Sequence, residues 1–125
     1  MTTILIIDDE QMICRALKRF LRSDYTVFTA HSAAEADTIL SDTVPDVILC
    51  DVVMPYEDGL SFYQRQLPTI QDRFVFMTGY VPVHFQTRAL VDSPVLAKPF
   101  RFEQLTRVLQ EQIDRVRCDS TSEVA

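Results

Sequence analysis

The run Ile4-Leu5-Ile6-Ile7, halting at Asp8-Asp9-Glu10, constrains this chain more than any other stretch. Four residues of buried type in succession leave no polar face for solvent. The run therefore reads as a parallel strand covered on both sides, ending where water begins. Such strands need helices on both faces of their sheet. Three consecutive acids at the strand end repel one another and raise one another's pKa, so the cluster implies a bound cation.

Further runs of strand type fall at 25–29, 47–50, 74–78 and 95–97, with helical patterns between them. Met12, Ile13, Ala16, Leu17, Phe20 and Leu21 recur at i, i+4 and i+8 and predict one apolar helix face. Phe102, Leu105, Val108, Leu109, Ile113 and Val116 predict another. Weaker helices are predicted over 32–40, 60–66 and 82–91. Pro45 and Pro94 precede strands, Pro68 follows a helix, and Pro82 suits a first helical turn. Five βα repeats predict an α/β fold, a doubly wound parallel sheet with helices on both faces. The domain is expected over residues 1–117. Residues 118–125 turn polar, lose periodicity and read as a frayed tail or the start of a linker. Met1, just before the first strand, is an expectation against a domain upstream.

Composition narrows the function classes. A chain of 125 residues is one domain, large enough to fold without disulfides. The net charge of −6 argues against direct nucleic-acid binding, which depends on cationic surface. With only two glycines, Gly59 and Gly79, a P-loop and a G-x-G-x-x-G turn are both excluded. Cys14, Cys50 and Cys118 form no C-x-x-C pair, and reduced thiols in the cytoplasm are expected. The amino terminus lacks a basic segment before its apolar run, and no apolar stretch approaches membrane-spanning length. Secretion and a membrane location are therefore not expected.

In a doubly wound sheet, ligands bind beyond the carboxyl ends of the strands. Those ends are Asp8-Asp9 on the first strand, Asp51 on the third, Thr78-Gly79 on the fourth and Lys98-Pro99 on the fifth. Asp8, Asp9 and Asp51 are hard oxygen ligands suited to Mg²⁺. Lys98, one of two lysines, is a point cation suited to a phosphoryl group. The Thr78 hydroxyl can donate to a phosphoryl oxygen, and Gly79, without a Cβ, lets its N–H approach another. One carboxylate can then attack phosphorus while Mg²⁺ and Lys98 offset the charge on the oxygens. Each residue also has a plainer explanation. Asp at a strand-to-helix junction is a favoured N-cap, Glu10 suits the dipole of the following helix, and Thr is a common strand residue. Capping does not explain all of them together.

These residues, with Met54-Pro55 and Asp58-Gly59 after Asp51 and Phe100 after Lys98-Pro99, resemble the receiver domain of two-component response regulators, over residues 3–117. The resemblance implies a flavodoxin-like, CheY-like (βα)5 sandwich with strand order 2-1-3-4-5. It implies that Asp51 is the phosphoacceptor, taking a phosphoryl group from a partner histidine kinase or phosphotransfer protein. Asp9, Asp51 and the backbone carbonyl of Val53 are implied as Mg²⁺ ligands, with Asp8 helping through water. Backbone groups of Val53 and Gly79 are implied around the phosphoryl group, Thr78 and Lys98 as the pair that senses it, and Lys98-Pro99 as a cis peptide.

The implied role is a signalling switch in a phosphorelay, not a metabolic enzyme, with only Mg²⁺-dependent self-phosphorylation and slow autodephosphorylation. Homodimer formation on phosphorylation is left open. Val95 stands where receivers often carry a reporting aromatic, and Tyr80 is a candidate to contribute instead. The ending Pro94-Val95-Leu96-Ala97-Lys98-Pro99-Phe100 is similar to receivers that work with, or are fused to, histidine kinases. His31 and His84 are read as surface residues away from the strand ends, and Cys50 as facing away from Asp51.

Three rivals stay in view. An aspartyl-phosphate hydrolase of the haloacid dehalogenase type needs a second Asp two residues after the first, where this chain has Val53. A flavodoxin-like FMN binder would have to seat its phosphate against an acidic first loop. A pseudo-receiver that only binds has no need of all five polar site residues.

Overall fold

The structure, a computed structural model, describes residues 1–79 and 81–124; the side chains of Val81, Pro82, His84, Phe85 and residues 119–124 are outside the description. The expectations for Tyr80 and His84 thus lie outside the described residues. The chain runs β1 (Thr3–Ile7), α1 (Gln11–Leu21), β2 (Thr26–Ala30), α2 (Ala33–Asp42), β3 (Val47–Asp51), α3 (Gly59–Gln64), α4 (Pro68–Gln71), β4 (Phe74–Thr78), α5 (Val81–Leu90), β5 (Val95–Ala97) and α6 (Phe102–Val124). The five strands form one parallel sheet in the order β2-β1-β3-β4-β5. This is the doubly wound architecture the βα repeats predict, in the flavodoxin-like strand order the resemblance implies.

Alternation along each strand sorts the core into two layers. Ile4, Ile6, Leu49, Val75 and Met77 pack with Leu17 and Leu21 of α1 and Leu105, Leu109 and Ile113 of α6. Leu5, Ile7, Ile48, Cys50, Phe74 and Phe76 face the other way, against Ala33, Ala36 and Phe62. Cys50 therefore points into that second layer, away from the Asp51 side chain. The second layer carries an aromatic cluster in which Tyr63 meets both Phe74 and Phe76 edge-on, with ring centroids 5.2 and 5.3 Å apart. After Thr3, the residues of β1, β3 and β4 are all apolar or site residues, and β3 and β4 are buried throughout.

The departures have physical reasons. β2 starts one residue later than the pattern predicts, because the Tyr25 N–H is taken by the Leu21 carbonyl at the end of α1. It ends at Ala30, whose carbonyl accepts from the Asp8 N–H at 3.0 Å. The buried face of α1 is Cys14, Leu17 and Leu21 with Ile13 beside them, while Met12, Ala16 and Phe20 face solvent. Phe20 stacks on Phe102 of α6, ring centroids 4.0 Å apart, so two residues read as parts of apolar helix faces form a surface pair. Pro68 follows α3, as the sequence predicts, and also opens a short helix, its missing N–H costing nothing at a first position. The last helix runs on to Val124. Residues 117–124 hold no Gly or Pro to stop it, although they lack an apolar stripe.

Gly59 fixes how the chain returns after β3. Its N–H donates to the Val52 carbonyl at 2.8 Å, and a Cβ there would lie 2.3 Å from the Asp51 carbonyl oxygen. That obstacle is backbone of a buried strand end. Gly59→Ala is expected to lower stability by about 2 kcal/mol, as overpacking against rigid neighbours does. A urea denaturation midpoint measures it.

Candidate functional site

Parallel strands bring residues far apart in sequence to one sheet edge, and the acids meet there. Asp8 follows β1 and is fully buried, Asp51 closes β3 with 5% exposure, and Thr78 closes β4 with 1%. Lys98 follows β5 and is held by its N–H to the Thr78 carbonyl at 2.8 Å. Its Nζ donates to Asp8 Oδ2 at 2.7 Å and to Asp51 Oδ2 at 2.9 Å. Glu10 Oε1 stands 3.9 Å away and more exposed. The Lys98–Pro99 peptide is cis.

The second oxygens of the two buried acids bond to backbone. Asp8 Oδ1 accepts from the Glu10 N–H at 2.9 Å, and Asp51 Oδ1 from the Val53 N–H at 3.1 Å. Asp8 is not the N-cap of α1; Glu10 holds that position, and its own side chain makes no cap bond. Asp9 is exposed beside them, and carboxylate oxygens of Asp8, Asp9 and Asp51 lie within 4.8 Å of one another. Three carboxylates face one ammonium. That excess of negative charge, on hard oxygen donors, fits a divalent cation such as Mg²⁺.

Burial pushes the Asp51 carboxyl up to about 6, with the Lys98 hydrogen bond pulling down and the Asp8 charge pushing up. For Lys98, burial works to lower the pKa, but hydrogen bonds to Asp8 and Asp51 outweigh it and the net shift is upward. Cys14, behind the site, donates its thiol to the Asp8 carbonyl at 3.3 Å. Burial and the Asp8 charge raise that thiol to about 11, so it is a packing group rather than a nucleophile.

Asp8, Asp9, Asp51, Val53, Thr78, Gly79 and Lys98 therefore all sit at or beside the carboxyl edge of the sheet. An added Cβ at Gly79 would lie 3.6 Å from Lys98 Cβ, an ordinary contact, so the protein's own atoms do not demand glycine there. His31 corrects the sequence reading. It directly follows β2, half-buried, with Nδ1 3.2 Å from the Asp8 carbonyl oxygen. Placing the end of β2 one residue early hid it. Val95 pairs with Phe76 and packs against the second core layer.

A model of the response regulator receiver domain matches residues 4–110. The chain belongs to that family. The curated relatives of this receiver include the hydrogenase transcriptional regulatory protein HoxA of Bradyrhizobium diazoefficiens, 31% identical over 127 residues. The alignment covers 98% of this chain and 26% of HoxA, so the receiver spans about a quarter of that relative. A receiver domain from Clostridium thermocellum superposes with a TM-score of 0.84 at 23% identity, covering 94% of this chain and 98% of that one. The response regulator TrrA of Thermotoga maritima, in complex with Mg²⁺-BeF, superposes at 0.79 and 24% identity, covering 90% and 99%. Both structures speak to fold. Among the described residues, no helix is long and apolar enough to cross a membrane.

The raised Asp51 pKa makes a pH prediction. Between its ordinary 3.8 and about 6, the folded receiver binds a proton at Asp51 that the unfolded chain does not. Its contribution therefore falls as pH rises through that window. Asp51→Asn is expected to melt a few degrees above wild type at pH 7.5, with the difference shrinking below pH 4. Thermal melts of both proteins across pH check this.

Proposed function

We propose that this receiver accepts a phosphoryl group on Asp51 from a histidine kinase or phosphotransfer protein in the cytoplasm, with Mg²⁺, and acts as a switch. The observation that carries the reading is the buried Asp8–Lys98–Asp51 bridge. It positions one carboxylate with its other oxygen on the Val53 N–H, and leaves Asp9 beside it as an exposed anion. A structural ion pair has no use for that third acid.

Asp51 attacks phosphorus, an Asp51 Oδ–P bond forms, and the P–N bond to the donor histidine breaks, returning the electron pair to the imidazole. Asp9, Asp51 and the Val53 carbonyl would hold Mg²⁺, with Asp8 supporting it. The ion, when bound, offsets charge on the phosphoryl oxygens. Lys98 is placed to leave Asp51 for a phosphoryl oxygen, while the Thr78 hydroxyl and the Gly79 N–H serve the others. Binding by these groups only in the modified form shifts an equilibrium between two surfaces. With Val95 where an aromatic reporter often stands, the shift is read through Thr78 and the loop after β4.

The donor reaches Asp51 past α1. Glu10, Ile13, Ala16 and Leu17 line an open groove with Gly79, Lys98, Pro99 and Phe100, and Met12 and Phe20 stand exposed on the same helix. The charged residues of α1, Arg15, Lys18 and Arg19, are all cations. We assign this face to the donor protein.

Incubation with acetyl phosphate and Mg²⁺, read by intact mass, tests the central claim. One added phosphoryl group, lost in Asp51→Asn, is expected. No added mass, or labelling that survives in Asp51→Asn, removes the reading and leaves a binding-only module. Fast multiple turnover of a phosphomonoester points instead to a hydrolase. Lys98→Ala is expected to slow labelling by about a hundredfold, as loss of a buried charge-stabilising donor does. Phe20→Glu is expected to slow transfer from the cognate donor while leaving labelling by acetyl phosphate unchanged.

A further inference from the structure

The loop between β3 and α3 carries Val53, and Arg65 holds that loop from outside. Arg65 caps the carboxyl end of α3 and uses both edges of its guanidinium at once. Nη1 and Nη2 donate to the two oxygens of Asp37 on α2 at 3.1 and 2.7 Å. Nε reaches both oxygens of Glu57 at 3.1 and 2.9 Å, and Nη2 adds a bond to Glu57 at 2.9 Å. The guanidinium carbon also lies 4.9 Å from the centre of the Phe62 ring, which is fully buried and cannot move aside. One planar fork therefore joins α2, the loop and α3.

What it holds is strained. Tyr56, fully exposed, has a φ of 72°, and the Glu57 N–H donates to the Pro55 carbonyl at 2.9 Å across it. A non-glycine residue at the centre of such a three-residue turn is unfavourable on its own. Met54 anchors the inner side of the loop in the core, and Glu57 anchors the tip to Arg65. Without the second anchor the turn can relax. The relaxation reaches Val53, one residue before Met54, whose N–H holds Asp51 Oδ1.

We infer that the Arg65–Asp37–Glu57 clamp positions the β3–α3 loop for the phosphoryl-accepting site, fixing the Val53 backbone groups and so the affinity for Mg²⁺. Arg65 is a positioning residue, with no contact to the reacting atoms. The inference rests on the function proposed above as far as Mg²⁺ is concerned, and on geometry alone for the loop. Because all three charged groups are partly exposed, the clamp is screened by salt.

Two variants test it, Arg65→Gln and Asp37→Ala, the latter on another helix. Hydrogen exchange of the metal-free protein is expected to accelerate about tenfold at the amides of Val53, Met54, Tyr56, Glu57 and Asp58 in both, with β1 and β4 unchanged. Calorimetric titration with MgCl₂ is expected to give a Kd raised by about tenfold, the usual consequence of losing an outer support of a metal site. At saturating Mg²⁺, labelling by acetyl phosphate should stay near the wild-type rate. Added NaCl should speed loop exchange in wild type and leave the variants as they are. Unchanged loop exchange and Mg²⁺ affinity in both variants overturns the clamp, as does exchange that rises equally in β1 and β4. If wild type neither binds Mg²⁺ nor is labelled, the proposed function fails, and exchange in the metal-free protein still judges the clamp.

Discussion

Two buried carboxylates, Asp8 and Asp51, share one ammonium, and the edge of the sheet is arranged around that contact. Removing a carboxylate from water carries a penalty of several kcal/mol unless charge and hydrogen bonds compensate. Here each acid has Lys98 on one oxygen and a backbone N–H on the other. Lys98 is itself fixed by the Thr78 carbonyl through its N–H. The bridge thus ties the ends of β1, β3, β4 and β5 into one electrostatic unit. The compensation is incomplete, because Asp9 adds a third negative charge and burial still pushes the Asp51 carboxyl up to about 6.

The fold makes that unit from residues 90 positions apart. Parallel pairing aligns the four strand ends without help from local sequence, and the two core layers fix register by parity, since a one-residue slip would turn every core side chain to the wrong face. Gly59 completes the arrangement by letting the chain double back against the Asp51 carbonyl, where a Cβ has no room. Core and site are therefore joined through backbone at the Asp51 strand end.

Much of this was legible in the chain. Runs such as Phe74–Thr78 and Val95–Ala97 coincide with their strands because short apolar runs without a polar face have one stable place in an α/β protein. The site was legible because strand ends are countable, and four of them carried polar residues. Other features were not. Met12 and Phe20 share the helical period of the buried residues of α1 yet face solvent, since periodicity gives a stripe but not its width. The short helix at Pro68 is one turn, too brief for any period. His31 escaped because its role depends on where β2 ends to within one residue, the resolution at which patterns fail. The Arg65 clamp joins residues 8 and 28 positions apart, and exposed charges carry no pattern that announces such a meeting.

The two cations of the site region divide the control of the loop. Lys98 acts from within, where low dielectric makes its bonds to Asp8 and Asp51 strong and insensitive to salt. Arg65 acts from the surface, where each of its contacts alone would be worth little. Bidentate geometry to two carboxylates and the seat on Phe62 change that balance, because a planar fork loses little freedom per bond formed. Phosphorylation at Asp51 would draw Lys98 off the Asp51 carboxylate towards a phosphoryl oxygen. The inner tie is then remade while the outer tie, sharing no group with it, stays in place. A loop fastened in this way keeps the Val53 backbone in position through the change, and the rearrangement is directed to the Thr78 side of the sheet.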